Sequence, residues 1–167
     1  NEENLIFVVG KTNGHIDQSI FAREILNEKK GPPPEVNLFN EKNNGENVLK
    51  LISEGLIESA HDVSLGGIIT SLSKMAIKGK KGFKLNKIKS LINKFEYYFG
   101  EDQARYIVEV KSTNINKFQK ILDNNSVHYD EIGIVTKKDI IIDKEPILHI
   151  DELIECNKNW LKDYMEN

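Results

Sequence analysis

Three short runs concentrate side chains able to bind anions, metals or sugars. The first is Gly14-His15-Ile16-Asp17-Gln18-Ser19, with Arg23-Glu24 soon after. The second is Ala60-His61-Asp62-Val63-Ser64-Leu65-Gly66-Gly67, and the third is Phe99-Gly100-Glu101-Asp102-Gln103-Ala104-Arg105. The second has the clearest chemical logic. A strand reaching Asp62 delivers a carboxylate to a sheet edge, and Gly66-Gly67 lets another backbone approach the helix that follows. Helix N-termini present unpaired N–H groups and a positive dipole end, which suits phosphate. A carboxylate beside such a seat can hold Mg²⁺ that bridges phosphate oxygens. The plainer alternative explains the same residues: Ser64 caps the helix, the glycine pair permits tight packing, and His61 is a hydrogen-bonded core residue. On the residues alone, the plainer alternative is preferred.

The third run sets two carboxylates, an amide and a guanidinium just before a strand. That suits a polyhydroxylated or phosphorylated ligand, and equally a tight turn closed by an Arg105–carboxylate bridge. In the first run His15, Gln18 and Ser19 either meet a ligand or organise a turn, and the turn is the simpler reading. The four histidines, His15, His61, His128 and His149, are scattered, so with one cysteine no metal-ligand spacing arises. The sequence contains no phosphate-loop Gly-Lys motif and no nucleophile elbow.

The elements that must position these runs follow from hydrophobic period and turn chemistry. Leu5 to Val9 reads as a buried strand, Gly10 to Gly14 as a turn and Gln18 to Leu26 as a helix. Gly31-Pro32-Pro33-Pro34 must be an extended connection, because three prolines exclude a helix interior. A helix carrying Val48, Leu49 and Ile52 ends near Glu54, with Gly55 as its left-handed cap. Leu56 to Ala60 is a short strand into His61-Asp62. Ser64 to Lys78 is a helix with Ile68, Leu72, Met75 and Ala76 inward and Gly79 closing it. Phe83 and Leu85 alternate like a strand, and Ile88, Leu91 and Ile92 look like a short helix. Arg105 to Lys111 is the best strand, with Tyr106, Val108 and Val110 on one face and Arg105, Glu109 and Lys111 on the other. Ser112 or Thr113 caps a helix with stripe Ile115, Phe118, Ile121 and Leu122. Strands over Asp130 to Thr136 and Asp139 to Ile142 are joined tightly by Lys137-Lys138. Asp151 caps a last helix with Leu153, Trp160, Leu161 and Tyr164 on one side. Strands alternating with helices make an α/β class, a mixed sheet flanked by helices.

The bulk numbers narrow the partners. At 167 residues the chain fits one domain with a real core. It is 39% hydrophobic and 29% charged, with net charge −3, which gives no electrostatic footprint for nucleic acid. Cys156 is the single cysteine and cannot form an internal disulfide, which fits a reducing compartment. No apolar run approaches bilayer length, so a cytoplasmic protein with no membrane partner is expected. The sequence starts at Asn1 and enters a core strand almost at once, which reads as a domain cut from a longer chain.

In their order, these runs resemble a known family. Gly14-His15-x-x-Gln18-Ser19, Arg23-Glu24-Ile25-Leu26, Gly31-Pro32-Pro33-Pro34-x-Val36-x-Leu38, Ala60-His61-Asp62-Val63-Ser64-x-Gly66-Gly67 and Phe99-Gly100-Glu101-Asp102-Gln103-Ala104-Arg105-Tyr106 resemble the last domain of phosphoribosylformylglycinamidine synthase II. The likeness extends to Asn159-Trp160-Leu161. The His-Asp and Gly-Gly element alone marks the wider AIR-synthase superfamily, which includes thiamine-monophosphate kinase and selenophosphate synthetase. The triple-proline stretch and the Gly-Glu-Asp-Gln run favour the synthase.

That resemblance implies an AIR-synthase-related C-terminal domain over residues 1–167, the second such copy in a duplicated enzyme. The family makes formylglycinamidine ribonucleotide from formylglycinamide ribonucleotide, ATP and glutamine-derived ammonia, in purine biosynthesis. ATP activates the amide oxygen and Mg²⁺ supports the phosphoryl transfer. Both cofactors would be bound mainly by parts of the enzyme outside this domain, and no catalytic residue is assigned here. Implied partners are the N-terminal domains of the same polypeptide, a glutaminase subunit and a small third subunit. Glu101, Asp102 and Gln103 correspond to a substrate-contacting run, and Asp62 to a Mg²⁺-binding aspartate, in the family's first C-terminal domain. His61, Ser64, Gly66 and Gly67 are the other candidates for contact with substrate or nucleotide. Leu65 stands where the family commonly has an acidic residue, and Asp17 where it commonly has glycine. The alternatives are a non-catalytic domain that holds an auxiliary nucleotide and docks partner subunits, or another superfamily member.

Overall fold

The computed structural model describes residues 1–88 and 91–166. An interior strand of its sheet is β1, Leu5–Val9, whose uninterrupted apolar run is buried on both faces. Ile6 and Val8 point into one core with Ile68, Leu72, Tyr97 and Tyr98, whereas Phe7 and Val9 point into another with Val48, Leu51, Phe118 and Leu122. The chain continues through α1 (Ile20–Glu24), α2 (Leu38–Ser53), β2 (Ser59–Asp62), α3 (Gly67–Gly79), β3 (Gly82–Leu85) and α4 (Lys94–Phe99). It ends with β4 (Tyr106–Val110), α5 (Ile115–Asn124), β5 (Tyr129–Thr136), β6 (Asp139–Ile142), β7 (Glu145–His149) and α6 (Ile150–Glu166). The sheet has seven strands in the order β2-β4-β1-β5-β3-β6-β7. Among the described residues only the β3–β6 pairing is parallel, so the sheet is mixed, as expected. Helices α2 and α5 cover one face; α3, α4 and the start of α6 cover the other.

Several local expectations shift. The first helix shortens to Ile20–Glu24 because Ser19 caps it, accepting from Ala22 N–H at 3.0 Å. The strand expected from Leu56 begins at Ser59 instead. In α2 the buried side is Val48 and Leu51 with Asn44 and Asn47, leaving Leu49 and Ile52 exposed. Gly55 does take a left-handed conformation, φ 64°. Helix α3 is closed by Lys80 at φ 51°, with Gly79 still inside it, and its N-cap residue is Gly66, which has no side chain to cap with. Ser64 contributes only its backbone carbonyl, which accepts from Gly67 N–H at 3.0 Å.

The polar face expected of β4 is mixed: Arg105 and Ile107 are enclosed, Glu109 is half-buried and Lys111 is exposed. A 3₁₀ turn over Ser112–Asn114 precedes α5 with no side-chain cap, so neither Ser112 nor Thr113 serves as one. The short helix expected at Ile88, Leu91 and Ile92 crosses positions 89 and 90, which lie outside the described residues. The flanking residues are not helical, and the helix sits at Lys94–Phe99. Strands β5 and β6 do not pair, because β3 lies between them. The hairpin is β6–β7, turning at Asp143 and Lys144, both with positive φ. Strand β7 carries Pro146 on the sheet edge, a place proline tolerates. Asp151 lies inside the first turn of α6 and pairs with Lys138 at 2.8 Å, while Trp160, Leu161 and Tyr164 face solvent.

Candidate functional site

The three polar runs, far apart in sequence, meet at one end of the sheet. Asp102 does most of the joining. Its Oδ2 accepts from Asn13 and Gly14 N–H, each at 2.9 Å, and its Oδ1 accepts from His15 N–H at 3.1 Å. Three successive backbone donors thus close round a buried carboxylate, an arrangement that needs the left-handed Gly14. Glu101 performs the second joining. Its Oε1 accepts from Ile20 N–H and Gly66 N–H, both at 2.8 Å. One carboxylate oxygen therefore sits at the start of α1 and at the N-cap of α3, where the helix dipole favours an anion. The seat expected for phosphate beside Gly66-Gly67 already receives the protein's own carboxylate.

Arg105 locks the turn from beneath. Only 1% exposed, it donates to Gly100 O at 2.7 Å, Asp102 O at 3.2 Å and Thr12 Oγ1 at 3.2 Å. Its Nη1 lies 3.5 Å from Asp102 Oδ2, so the expected Arg105–carboxylate bridge exists. Burial pulls the guanidinium below its ordinary pKa, and Asp102, then Tyr97 and Glu101, draw it back up. Ala104 holds a left-handed φ of 58°, and its carbonyl accepts from Asn44 Nδ2 at 2.8 Å. The glycine pair serves close packing: a Cβ on Gly67, itself at φ 68°, would sit 2.6 Å from Tyr98 O and 2.7 Å from Gly100 O.

The first run fastens the proline strap between α1 and α2. His15 Nε2 donates to Pro32 O at 3.0 Å, and Gln18 Nε2 donates to Gly31 O at 3.0 Å. Beside the strap opens a polar cavity of about 710 Å³, walled by Asn13, His15, Asn37, Asn40, Asn44 and Gln103, with Lys11 at its edge. Gln103 is exposed there, unlike its two acidic neighbours. The amide wall of α2 and the pair Lys11 and Thr12 were not singled out from sequence. Asn37 as the N-cap of α2, with Asn40 and Asn44 on the face that follows, is the signal that would have found the wall.

The second run lies apart from that cavity. Asp62 ends the edge strand β2 opposite Tyr106, with its side chain 67% exposed. His61 Nδ1 lies 2.6 Å from Asp62 O, so the imidazole is engaged locally. Ser64 is exposed, whereas Gly66 and Gly67 are buried. Among the described residues no three His, Cys, Asp or Glu side chains converge as a metal site, so Asp62 belongs to no such group.

The family model described as AIR synthase related protein, C-terminal domain, matches residues 1–144, and the chain belongs to that family. Within it, the chain is similar to phosphoribosylformylglycinamidine synthase subunit PurL. The relative from Pelagibacter ubique (strain HTCC1062) is 62% identical over 99% of this chain and 23% of its own length. The Bartonella bacilliformis relative (strain ATCC 35685 / KC583 / Herrer 020/F12,63) is 34% identical over 98% of this chain and 22% of its own. The chain thus spans about a quarter of the length of these curated relatives. Among solved structures, T. maritima PurL complexed with FGAR matches with a TM-score of 0.75 at 19% identity, covering 92% of this chain and 28% of that one. Thiamine-monophosphate kinase from Stenotrophomonas maltophilia K279a matches with a TM-score of 0.57 at 12% identity, covering 88% of this chain and 52% of that one. The structural likenesses establish the shared fold, and the sequence relatives bear out the synthase resemblance.

Proposed function

We propose that this chain is the C-terminal domain of a phosphoribosylformylglycinamidine synthase, the second of two such copies in a longer, cytoplasmic polypeptide. The complete enzyme converts formylglycinamide ribonucleotide, ATP and glutamine-derived ammonia to formylglycinamidine ribonucleotide, ADP and phosphate. The observation that carries this is 62% identity over 165 residues to a synthase subunit. Related PurL structures are described with FGAR, with ATP and as a PurLQS assembly, which supports the same substrates, nucleotide and multi-subunit arrangement here.

Within that enzyme the domain's part is positioning. Glu101 and Asp102 direct their oxygens at backbone N–H groups of two separate segments, the stretch from Asn13 to Ile20 and the N-cap of α3, so they order the site's walls rather than meet substrate. Gln103 and Asn40 are exposed amides on this cavity, and amides suit ribose hydroxyls or a phosphate rim. By themselves these residues do not fit a Mg²⁺–nucleotide site. Among the described residues Asp62 belongs to no group of three potential metal ligands, and the N-cap of α3 is taken by Glu101. Groups elsewhere in the enzyme would hold ATP and Mg²⁺, with Asp62, His61 and Ser64 as this domain's nearest contributors.

The test is Asp62→Asn and Gln103→Ala in the complete synthase, reading turnover and melting temperature together. Lost turnover at unchanged melting assigns the altered residue to the working cleft. Normal turnover with lower melting assigns it to structure. The 167-residue chain alone should show no synthase activity, and measurable turnover from it would overturn the positioning role.

A further inference from the structure

The last helix carries more apolar surface than its own domain covers. Its first half is seated: Ile150 is fully enclosed, and Leu153 and Ile154 pack against the core beside it. The same face continues at helical spacing through Trp160, Leu161, Tyr164 and Met165, with Asn157 as the polar position midway. From Glu155 onward every described side chain is exposed. Trp160 is 59% exposed, Leu161 53%, Tyr164 74% and Met165 75%. Lys158, Lys162 and Glu166 lie off this stripe, and Lys162 pairs with Glu166 at 3.9 Å on the water side. Contiguous apolar patches of roughly a few hundred Å² on a folded surface mark interaction sites. Tryptophan and tyrosine are the usual anchors of such contacts.

We infer that the distal half of α6 is the strip by which this domain seats on the remainder of its own synthase polypeptide, a helix laid in an apolar groove with Trp160 and Tyr164 as anchors. Two observations select this occupant. The stripe is continuous with an intramolecular contact, because the face that seats Ile150 on this domain carries on unchanged to Met165. The family model ends at residue 144, before α6, whereas similarity to the Pelagibacter relative spans 165 residues, and about three quarters of that relative lies outside the match. Strand β7 and α6 thus lie past the end of the family model but inside the similarity to a much longer synthase subunit. The inference rests on the synthase reading above.

Trp160 is the chain's single tryptophan, so a fluorotryptophan-labelled sample gives one fluorine resonance that reports the strip. The labelled chain would be mixed with the separately expressed remainder of the synthase polypeptide. The expected result is a shifted resonance, slowed hydrogen exchange over residues 155–166, and a loss of affinity of about tenfold or more in Leu161→Asp/Tyr164→Asp. That variant should melt with the unaltered chain, since both side chains are more than half exposed. Binding that leaves the resonance and the variant's affinity unchanged would overturn the strip while sparing the synthase reading. No binding at all would overturn the strip, while the synthase reading stands or falls on turnover of the complete enzyme. A shift produced by self-association, or by the glutaminase subunit in place of the remainder, would overturn the choice of occupant.

Discussion

Replacing Asp102 with asparagine removes one negative charge from a site where four groups depend on it. The carboxylate accepts from the N–H groups of Asn13, Gly14 and His15 and lies 3.5 Å from Arg105 Nη1. Asparagine keeps one acceptor oxygen, enough for two of the three donors, and turns an NH₂ group toward the third. Each hydrogen bond to a charged group contributes roughly 1.5–3 kcal/mol net. The greater loss arises at Arg105, which is 1% exposed and would be left without its nearest countercharge. Leaving a buried charge unpaired costs about 3–5 kcal/mol. These effects overlap, so the expected loss for Asp102→Asn is about 3–5 kcal/mol, a large share of a typical domain's roughly 5–15 kcal/mol. Urea unfolding of the 167-residue chain measures it: at about 2 kcal/mol/M, the midpoint should fall by about 2 M. Arg105→Met in the Asp102→Asn background should cost less than the two changes measured separately, because the stranded charge is gone. A loss below about 1 kcal/mol, or simple additivity of the pair, would refute the reasoning.

Gly67→Ala should destabilise by more than about 1–3 kcal/mol, since it combines a left-handed φ of 68° with a Cβ driven to 2.6 Å from Tyr98 O; a thermal melt unchanged from the parent would show the pair is not needed for packing. Tyr98 is enclosed and its hydroxyl finds no partner among the described residues, so Tyr98→Phe should raise stability by about 1 kcal/mol in the same urea assay. Burial, with Asp143 adding to it, pushes the Tyr98 hydroxyl up to about 12, and burial also raises Tyr97 and Tyr106. The folded state therefore holds protons that the unfolded chain releases near its ordinary value of 10.0. Stability is whole below pH 10.0 and falls as pH rises toward about 12, less steeply in Tyr98→Phe. Tyrosinate absorbance should rise together with loss of far-ultraviolet dichroism, and full ionisation in an intact fold would contradict this.

The legible parts of the fold were those where one periodicity dominated. Leu5–Val9 is apolar at every position, and β1 has those same bounds. The stripe of Ile68, Leu72 and Ala76 in α3 is buried as the 3.6-residue period requires. What escaped were choices made by tertiary partners. Leu49 and Val48 look alike in sequence, yet α5 and β1 select Val48 and leave Leu49 outside. The alternation in β4 correctly separates two faces, but no local rule tells that Arg105 has Gly100, Thr12 and Asp102 waiting inside. The non-adjacency of β5 and β6 is topological, since β3 comes from a distant segment and inserts between them. At the site, the runs were found but not their connections, because a carboxylate that binds substrate and one that binds a loop read identically.

That ambiguity is resolved by counting acceptors. An ionised carboxylate has two oxygens with about four lone-pair sites, and in a buried place each unused site is costly. Asp102 spends three on backbone donors and faces Arg105 with the remainder. Glu101 spends Oε1 on two helix starts, tying the first run to the second. Adjacent in sequence, the two must point apart to do this, and the left-handed turn at Ala104 then releases Gln103 to the cavity. A motif of Glu-Asp-Gln is thus two ties and one free hand. Any ligand meeting this surface would contact the amide while depending on the two acids, so loss of function in an Asp102 variant would by itself say nothing about contact.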